Sequence, residues 1–175
     1  MPDHYYTQTP TSAHKPGQVD FLWRGAKLVF ETDSGVFSRT EIDKGTEILL
    51  NALPEELTGS LLDMGCGYGV IGVTLGRRYP GLSVVMSDVN ERAVELSRRN
   101  AQRNGVSARV MQSDGYADVP FQRMNWIVQN PPIRAGKSVI YAMFAEGARR
   151  LTPNGELWLV IRKQQGAESA VRYLK

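Results

Sequence analysis

Glycines occupy every second position from Gly65 to Gly69, directly after an apolar run that ends in Asp63. Apolar residues at helical spacing follow, so the pattern predicts a buried strand, a sharp turn and a helix. Glycine allows a positive φ and leaves the backbone N–H groups beside the helix N-terminus accessible. The turn is therefore a candidate site for a nucleotide-like ligand, and the alternative is a glycine-rich connection that binds nothing.

Two ligand classes fit the glycine spacing. The register Gly67, Gly69 and Gly72 matches the dinucleotide fingerprint G-x-G-x-x-G, which would make the protein a nicotinamide-dependent dehydrogenase. The longer pattern D-x-G-x-G-x-G, from Asp63 to Gly69, resembles the first motif of S-adenosylmethionine (SAM) dependent methyltransferases with a doubly wound sheet. That resemblance implies that Asp63, Gly65, Gly67 and Gly69 bind SAM as the cofactor.

Acidic residues end the next two predicted strands. Asp88 follows the glycine turn by about 20 residues, where an acid accepts hydrogen bonds from ribose hydroxyls in nucleotide-binding sheets. Asp114 ends the third strand and precedes Gly115. The methyltransferase resemblance implies that a side chain here accepts a hydrogen bond from the adenine amino group while the adjacent backbone recognises the ring. Asp118 lies close enough in sequence to be an alternative to Asp114.

The fourth predicted strand ends at Asn130-Pro131-Pro132-Ile133, which resembles the N-P-P-x or D-P-P-x signature of methyltransferases that modify planar amino nitrogens. The lone pair of such a nitrogen is delocalised, so two hydrogen-bond acceptors must hold it and favour its pyramidalisation. The resemblance implies that these acceptors are the Asn130 side-chain oxygen and the Pro131 carbonyl, with Asn130 also bordering the cofactor. Pro132 favours an extended conformation of the preceding residue. The alternative is an Asn-Pro-Pro turn without a catalytic role.

The elements that position these groups are strands mostly separated by helices, which predicts an α/β fold with a doubly wound, Rossmann-like parallel sheet. The resemblance to SAM-dependent methyltransferases implies the strand order 3-2-1-4-5. We expect the polar groups at the carboxyl ends of the strands, where ligands bind in such sheets. Helices are predicted over Asn90 to Asn104 and from a cap at Ser138 to Leu151. A turn at Pro153-Asn154-Gly155 then leads into the fifth strand, Glu156 to Ile161.

The two ends of the chain differ from this pattern. Residues 1–18 are predicted to be an extended or disordered lead-in to a domain over residues 19–175. Phe21–Arg24 and Ala26–Phe30 read as a β-hairpin that covers one end of the sheet. The chain stops at Lys175 inside a predicted helix after the fifth strand, so we expect a C-terminal truncation that leaves Leu157 to Ile161 as an open sheet edge.

Composition limits the remaining possibilities. The 175 residues are 42% hydrophobic, which suits one domain, and the net charge of +3 mildly favours a polyanionic partner. Cys66 is the single cysteine, and we interpret it as a spacer in the glycine turn rather than a nucleophile. The two histidines, His4 and His14, lie in the polar N-terminal segment, so no His-based metal site is expected in the core. The lack of a signal peptide or a long apolar run predicts a cytoplasmic location without membrane contact.

A closer resemblance combines several segments: Gly35–Ser38, Ile42–Thr46, the Asp63–Gly69 turn and the Asn130–Ile133 corner. Together they resemble the catalytic domain of bacterial small-subunit (16S) ribosomal RNA guanine-N2 methyltransferases, from about residue 20 to the end. Those enzymes often carry a second, degenerate copy of the domain, and their sheet ends in a C-terminal hairpin. The 175 residues contain one copy and stop before the position of that hairpin. The resemblance also implies that Phe37, Lys44 and Thr46 lie beside the cofactor.

These features predict a SAM-dependent N-methyltransferase that acts on the exocyclic N2 amine of a guanine in ribosomal RNA. Isoleucine at position 133 favours guanine, since modifiers of adenine or glutamine usually carry an aromatic residue there. The alternatives are methylation of adenine or of a protein glutamine amide, and an inactive methyltransferase fold that binds RNA. The cluster Arg92, Arg98, Arg99 and Arg103 is a further candidate for phosphate contacts, although charges at this spacing usually form a solvated helix face.

Overall fold

A five-stranded parallel sheet, preceded by an antiparallel hairpin, organises the computed structural model, which describes residues 6–175. The strands are β1 (Gly17–Trp23), β2 (Ala26–Thr32), β3 (Ser60–Met64), β4 (Ser83–Asp88), β5 (Ala108–Gln112), β6 (Met124–Gln129) and β7 (Leu151–Leu159). The helices are α1 (Lys44–Ala52), α2 (Val70–Arg78), α3 (Glu91–Arg103), α4 (Lys137–Arg149) and α5 (Ala167–Leu174). Short 3-10 turns cover Ile133–Ala135 and Lys163–Gln165.

The sheet order is β5-β4-β3-β6-β7, with every neighbouring pair parallel. Numbered from the strand before the glycine turn, this is the predicted order 3-2-1-4-5, so the predicted fold is confirmed. The carboxyl ends of β3, β4, β5 and β6 lie side by side, and the chain reverses direction across the sheet between β3 and β6. That crevice is where ligands bind in open parallel sheets.

Two glycines of α2 allow the helix to pack closely against its neighbours. A Cβ at Gly72 would lie 2.6 Å from the Sδ and Cγ atoms of Met86 on β4, and one at Gly76 would lie 2.5 Å from Cγ1 of Val106. Met86 is fully buried, so it has little space to move away. The close packing fixes α2, and with it the glycine turn that precedes it, on the sheet.

We expect Gly72→Ala to destabilise the protein, although alanine is the better helix former. Overpacking a buried site costs about 1–3 kcal/mol, whereas replacing glycine by alanine in a helix gains about 1 kcal/mol. The overpacking cost is therefore the larger of the two over most of its range. Urea unfolding should show a lower midpoint with an unchanged slope. Gly81→Ala is the matched control, since a Cβ at Gly81 meets no atom within 4 Å. An equal effect in both variants would contradict the packing argument.

The N-terminal hairpin packs on helices, which corrects the prediction that it covers one end of the sheet. Its second strand, β2, contacts α2 and α3. The side chains of Asn100 and Asn104 on α3 bond the backbone of β2: Asn100 Oδ1 accepts from the Glu31 N–H at 2.7 Å, and Asn104 Oδ1 from the Val29 N–H at 3.0 Å. The hairpin therefore forms an outer layer over the helices.

Two local predictions near the C-terminus were wrong. Gly136, not Ser138, is the N-cap of α4, and this helix ends at Arg149 because Leu151 already pairs with Met124 in the sheet. The predicted turn at Pro153-Asn154-Gly155 lies inside β7, where it makes an irregularity in the pairing with β6. As predicted, β7 is an edge strand of the described sheet.

The segment before β1 is attached to the domain. The Gln8 carbonyl accepts from the Glu91 N–H at 3.0 Å, and Arg92 donates to the Ser12 carbonyl at 2.9 Å. The His14 side chain is largely exposed and contacts the Asp33 carboxylate, and His4 lies outside the described residues. Strand β1 begins at Gly17, two residues before the predicted domain boundary. No helix within residues 6–175 has the length and apolarity that a membrane span needs.

Candidate functional site

The glycine turn after β3 has the conformation that its sequence predicts. Gly65, Gly67 and Gly69 have φ values of +70°, +56° and +95°, which favour glycine. The N–H groups of Gly65 and Cys66 both donate to the Ser87 carbonyl on β4, at 2.8 and 2.9 Å. A Cβ at Gly65 or Gly67 would meet no atom within 4 Å. The turn therefore presents bare backbone to an open space.

Asp88, at the end of β4, holds this turn in place. Its Oδ2 accepts from the Gly67 N–H at 2.8 Å and its Oδ1 from the Asn90 N–H at 2.9 Å. Burial raises the pKa of Asp88 to about 6, despite these hydrogen bonds, which act in the opposite direction. Each carboxylate oxygen keeps a second lone pair, so Asp88 can accept further hydrogen bonds from a ligand in the crevice.

Asp63 lies behind the turn and does not reach the crevice. It is fully buried, and its Oδ2 accepts from the Gly72 N–H at 2.8 Å near the start of α2. Its Oδ1 has no hydrogen-bond partner within the described chain. Burial, together with the nearby Asp88 charge, raises the pKa of Asp63 to about 7. The structure thus makes Asp63 a support of the turn, which corrects its assignment as a cofactor ligand.

This buried carboxyl predicts a pH dependence of stability. The Asp63 pKa is about 7 in the folded protein and near its ordinary value of 3.8 in the unfolded chain. Between these values the folded state binds a proton that the unfolded state has released, so stability falls as pH rises from about 4 to 7. We expect Asp63→Asn to weaken this fall. Urea unfolding at pH 5 and pH 7.5 measures it, with the exposed Asp20→Asn as the control. Equal pH dependence in all three proteins would contradict the assignment.

The Asn130 side chain has a fixed orientation. Its Nδ2 donates to Asp43 Oδ2 at 3.0 Å and to Thr46 Oγ1 at 3.1 Å. Asp43 Oδ2 also accepts from the Thr46 N–H as the N-cap of α1, and an ionised carboxylate cannot donate. The amide NH₂ must therefore face Asp43, which leaves Asn130 Oδ1 as an acceptor on the other side. No group of residues 6–175 donates to that oxygen.

These groups surround one cavity of about 300 Å³ at the carboxyl ends of the strands. The predicted site residues that line it are Gly65, Gly67, Asp88, Asp114, Gly115, Asn130, Pro131 and Pro132. Phe37 and Thr46 also line it, as the resemblance implied, whereas Lys44 pairs with Glu47 at 3.1 Å outside the lining. Asp114 is exposed at the rim, while Asp88 lies deep in the crevice.

Two further predicted residues do not line the cavity. Gly69 is the N-cap of α2, where a Cβ would lie 3.1 Å from Ser97 Oγ. Ile133 starts the 3-10 turn after the two prolines and packs against Ile140, Phe144 and Ala170. The structure therefore corrects the catalytic assignment of Ile133 and removes the argument that this side chain selects guanine by touching the base.

The loop between β2 and α1 forms one wall of the cavity, and its residues Ser38 and Asp43 are lining residues that the sequence did not predict. Phe37 lies at the mouth with 40% of its surface exposed, and Ser38 has a φ of +55°, which is rare outside glycine. The buried Tyr68 hydroxyl donates to the Ser38 carbonyl at 3.1 Å and so ties this loop to the glycine turn. The N-terminal Tyr6 also lines the cavity. The sequence does contain a signal for the N-cap role of Asp43. An N-cap aspartate accepts a hydrogen bond from the backbone N–H three residues later, and Thr46 is that residue here.

Cys66 behaves as a spacer, as we interpreted it. The thiol lies 3.3 Å from Ser97 Oγ, and burial, followed by the charges of Asp88 and Asp63, raises its pKa well above the ordinary value. A thiol in this environment is not activated as a nucleophile. Within the described residues, no cluster of three or more His, Cys, Asp or Glu side chains is arranged to hold a metal ion.

Comparison with known proteins decides the family. The methyltransferase small domain family matches residues 27–174. The chain belongs to the methyltransferase small domain family. This confirms the resemblance seen in the Asp63–Gly69 and Asn130–Ile133 motifs, and the dehydrogenase alternative has no comparable support.

The chain is also similar to individual proteins along most of its length. The chain is 44% identical over its whole length to the Bacillus subtilis protein named "Uncharacterized protein YbxB", of which it covers 89%. It is 41% identical to the ribosomal RNA small subunit methyltransferase C of Hahella chejuensis over 90% of the chain and 49% of that relative. Among solved structures, the Thermus thermophilus 16S rRNA N2 G1207 methyltransferase (RsmC), in complex with AdoMet and guanosine, superposes with a TM-score of 0.77 at 30% identity. That match covers 88% of this chain and 44% of RsmC, so the chain spans about half the length of the ribosomal RNA methyltransferases it resembles.

Proposed function

We propose that this protein is a SAM-dependent N-methyltransferase that methylates the exocyclic N2 amine of a guanine in small-subunit (16S) ribosomal RNA. The observation that carries the proposal is the fixed Asn130 amide. Its Oδ1 stands in the cavity wall as an acceptor next to Pro131, and acceptors are what an amine with two N–H groups requires. The choice of guanine in ribosomal RNA rests on the relatives, since ribosomal RNA small subunit methyltransferase C and RsmC match most of the chain.

The cavity also fits the cofactor. Gly65 and Gly67 leave open space where other residues would place a Cβ, and the Asp88 carboxylate has lone pairs to spare for hydroxyl donors. Asp114 and Gly115 lie on the same lining, at the rim. We infer that the glycine turn and Asp88 hold the amino-acid and ribose parts of SAM, and that the Asp114–Gly115 end holds the adenine. When bound, SAM supplies an electrophilic methyl group on a sulfonium.

The residues of the chain then act by position rather than by acid or base strength. Asn130 Oδ1 and the Pro131 carbonyl accept from the two N–H groups of the target amine, which orients its lone pair toward the cofactor side of the cavity. Asp43 and Thr46 keep the Asn130 amide from rotating. Transfer of the methyl group would break its bond to the sulfonium sulfur, leave a neutral thioether and give the target nitrogen a positive charge. This protonated N-methyl amine is a strong acid because the nitrogen is attached to the base ring, so its proton leaves to water without a dedicated base. Alignment of this kind contributes effective molarities of order 10⁵ M or more.

The reaction product tests the proposal. The purified chain is incubated with methyl-labelled SAM and small-subunit ribosomal RNA that lacks the modification, either free or as assembled subunits, and the RNA is digested to nucleosides. We expect N2-methylguanosine. Label in N6-methyladenosine or in glutamine of a ribosomal protein would replace the proposed substrate by one of the alternatives. RNA binding without SAM binding would identify an inactive RNA-binding module.

A further inference from the structure

The arginines of α3, which the sequence made candidates for phosphate contacts, are engaged within the protein. Arg92 donates to the Ser34 carbonyl at 2.8 Å and Arg98 to the Val110 carbonyl at 3.1 Å. Arg99 and Arg103 both pair with Glu31 on the hairpin, at 3.2 and 3.4 Å. Arg92, Arg99 and Arg103 thus fasten the hairpin and the N-terminal segment to α3, and Arg98 fastens α3 to β5. A phosphate would have to displace such contacts to bind there.

A second set of cations lies beside the cavity and is not engaged in this way. The side chains of Arg134, Lys137 and Arg162 are exposed, and none of these side chains makes a hydrogen bond or ion pair with any residue from 6 to 175. The neighbouring Lys163 is held loosely, 3.8 Å from Glu168, with both side chains largely exposed. Uncommitted arginine and lysine side chains are available for anions, and arginine binds phosphate in a bidentate manner.

Chain geometry places the three cations on one side of the cavity mouth. Arg134 lies in the 3-10 turn that directly follows the Asn130-Pro131-Pro132 corner, and its neighbour Ala135 lines the cavity. Lys137 starts α4, and its Cε lies 3.7 Å from the position of a Cβ on Gly166, so it runs alongside the turn that contains Arg162.

The chain just before this turn approaches the amine-binding corner. Val160, the residue after β7, lies 3.6 Å from the position that a Cβ would take on Gly45 of α1. The next residue of that helix is Thr46, which bonds Asn130. The segment from Val160 to Gly166, which contains Arg162, therefore approaches α1 at its first residue and α4 at its last, next to the elements that position the target amine.

We propose that Arg134, Lys137 and Arg162 form the surface that binds the RNA phosphates flanking the target nucleotide. This inference rests on the proposed function, because it takes a base held at Asn130 as its starting point. A nucleotide whose base reaches into the cavity leaves its sugar and phosphates at the mouth, where these cations stand. Phosphate contacts of this kind set position and affinity without reading sequence. The exposed Val139, which lines the same rim of the cavity, supplies an apolar contact beside them.

The test compares two triple variants with equal loss of charge. The first is Arg134→Gln, Lys137→Gln and Arg162→Gln. The control is Lys27→Gln, Arg77→Gln and Arg109→Gln. These three cations are exposed, their side chains likewise have no hydrogen-bond or ion-pair partner in the described chain, and they do not line the cavity. RNA affinity is measured from about 50 to 200 mM salt, SAM affinity by calorimetry, and methyl transfer with labelled SAM.

We expect the first variant to bind RNA at least about 10-fold more weakly. The slope of log affinity against log salt should also become less steep by about 2 to 3, since each phosphate contact contributes close to one to that slope. SAM affinity should not change, which also shows that the variant is folded. The control should lose less than about 3-fold. Equal losses of RNA affinity in both triple variants, or an unchanged salt slope in the first, would contradict the proposed phosphate-binding surface. If wild-type protein binds SAM but transfers no methyl group to RNA, the proposed function fails instead.

Discussion

Asn130→Ala is expected to reduce the rate of methyl transfer about 10²- to 10³-fold while SAM affinity stays within a few-fold of wild type. Loss of one preorganised hydrogen-bonding group at a reacting centre has an effect of this size. The Pro131 carbonyl remains, but a single acceptor cannot fix both N–H groups of the amine. Single-turnover transfer from labelled SAM to ribosomal RNA measures the chemical step, and calorimetry measures SAM binding. Asn154→Ala, an exposed asparagine on β7, is the matched control.

The neighbourhood of Asn130 gives this prediction a sharper form. Because Asn130 Nδ2 donates to Asp43 Oδ2 at 3.0 Å, Asn130→Asp would place two carboxylates in contact, although D-P-P-x is a working signature elsewhere. We expect Asn130→Asp to be impaired and the added change Asp43→Asn to restore part of its activity. Full activity in Asn130→Ala would contradict the role of the amide, and impairment without rescue would contradict the pairing with Asp43.

Asp88→Ala is expected to weaken SAM binding about 10- to 100-fold and to lower stability. A hydrogen bond to a charged group contributes about 1.5–3 kcal/mol, which sets the loss of affinity if one such bond to the ligand disappears. The Gly67 and Asn90 N–H groups would also lose their acceptor. The Asn90 N–H is buried, and an unsatisfied buried donor costs about 1–3 kcal/mol. Calorimetric titration with SAM measures the first effect, and urea unfolding the second.

Asp114→Ala is the informative comparison for Asp88. Asp114 also lines the cavity, but it is exposed at the rim, where water competes for every hydrogen bond. We therefore expect a smaller loss of SAM affinity and almost no loss of stability. Equal effects of the two alanine variants on SAM binding would show that depth in the crevice does not decide which acid matters.

The main framework of the site could be predicted because parallel topology fixes it. Once strands alternate with helices, their carboxyl ends must meet at one edge, so Gly65, Gly67, Asp88 and Asn130 were expected near each other before any coordinate was known. The glycine turn was predictable for a local reason, since positive φ values at alternate positions suit glycine. The alternation of strands and helices does not set the strand order by itself, and the order came from the resemblance to SAM-dependent methyltransferases.

The remaining features depend on contacts between distant parts of the chain. The pairing of Asn130 with Asp43 spans 87 positions, and no local pattern marks it. Asp63 ends an apolar strand as a ligand-binding acid would, yet its side chain bonds Gly72 on the far side of the turn. Ile133 follows the two prolines, but a 3-10 turn directs it into the cluster around Phe144. Sequence pattern gives the strand end, whereas packing decides which way each side chain points.

A crystal structure of the protein with SAM and guanosine tests the central claim most directly. The account predicts SAM along Gly65, Gly67 and Asp88, and the guanine N2 amine within hydrogen-bonding distance of Asn130 Oδ1 and the Pro131 carbonyl. An amine directed away from these two oxygens, or SAM bound at another place on the molecule, would contradict it.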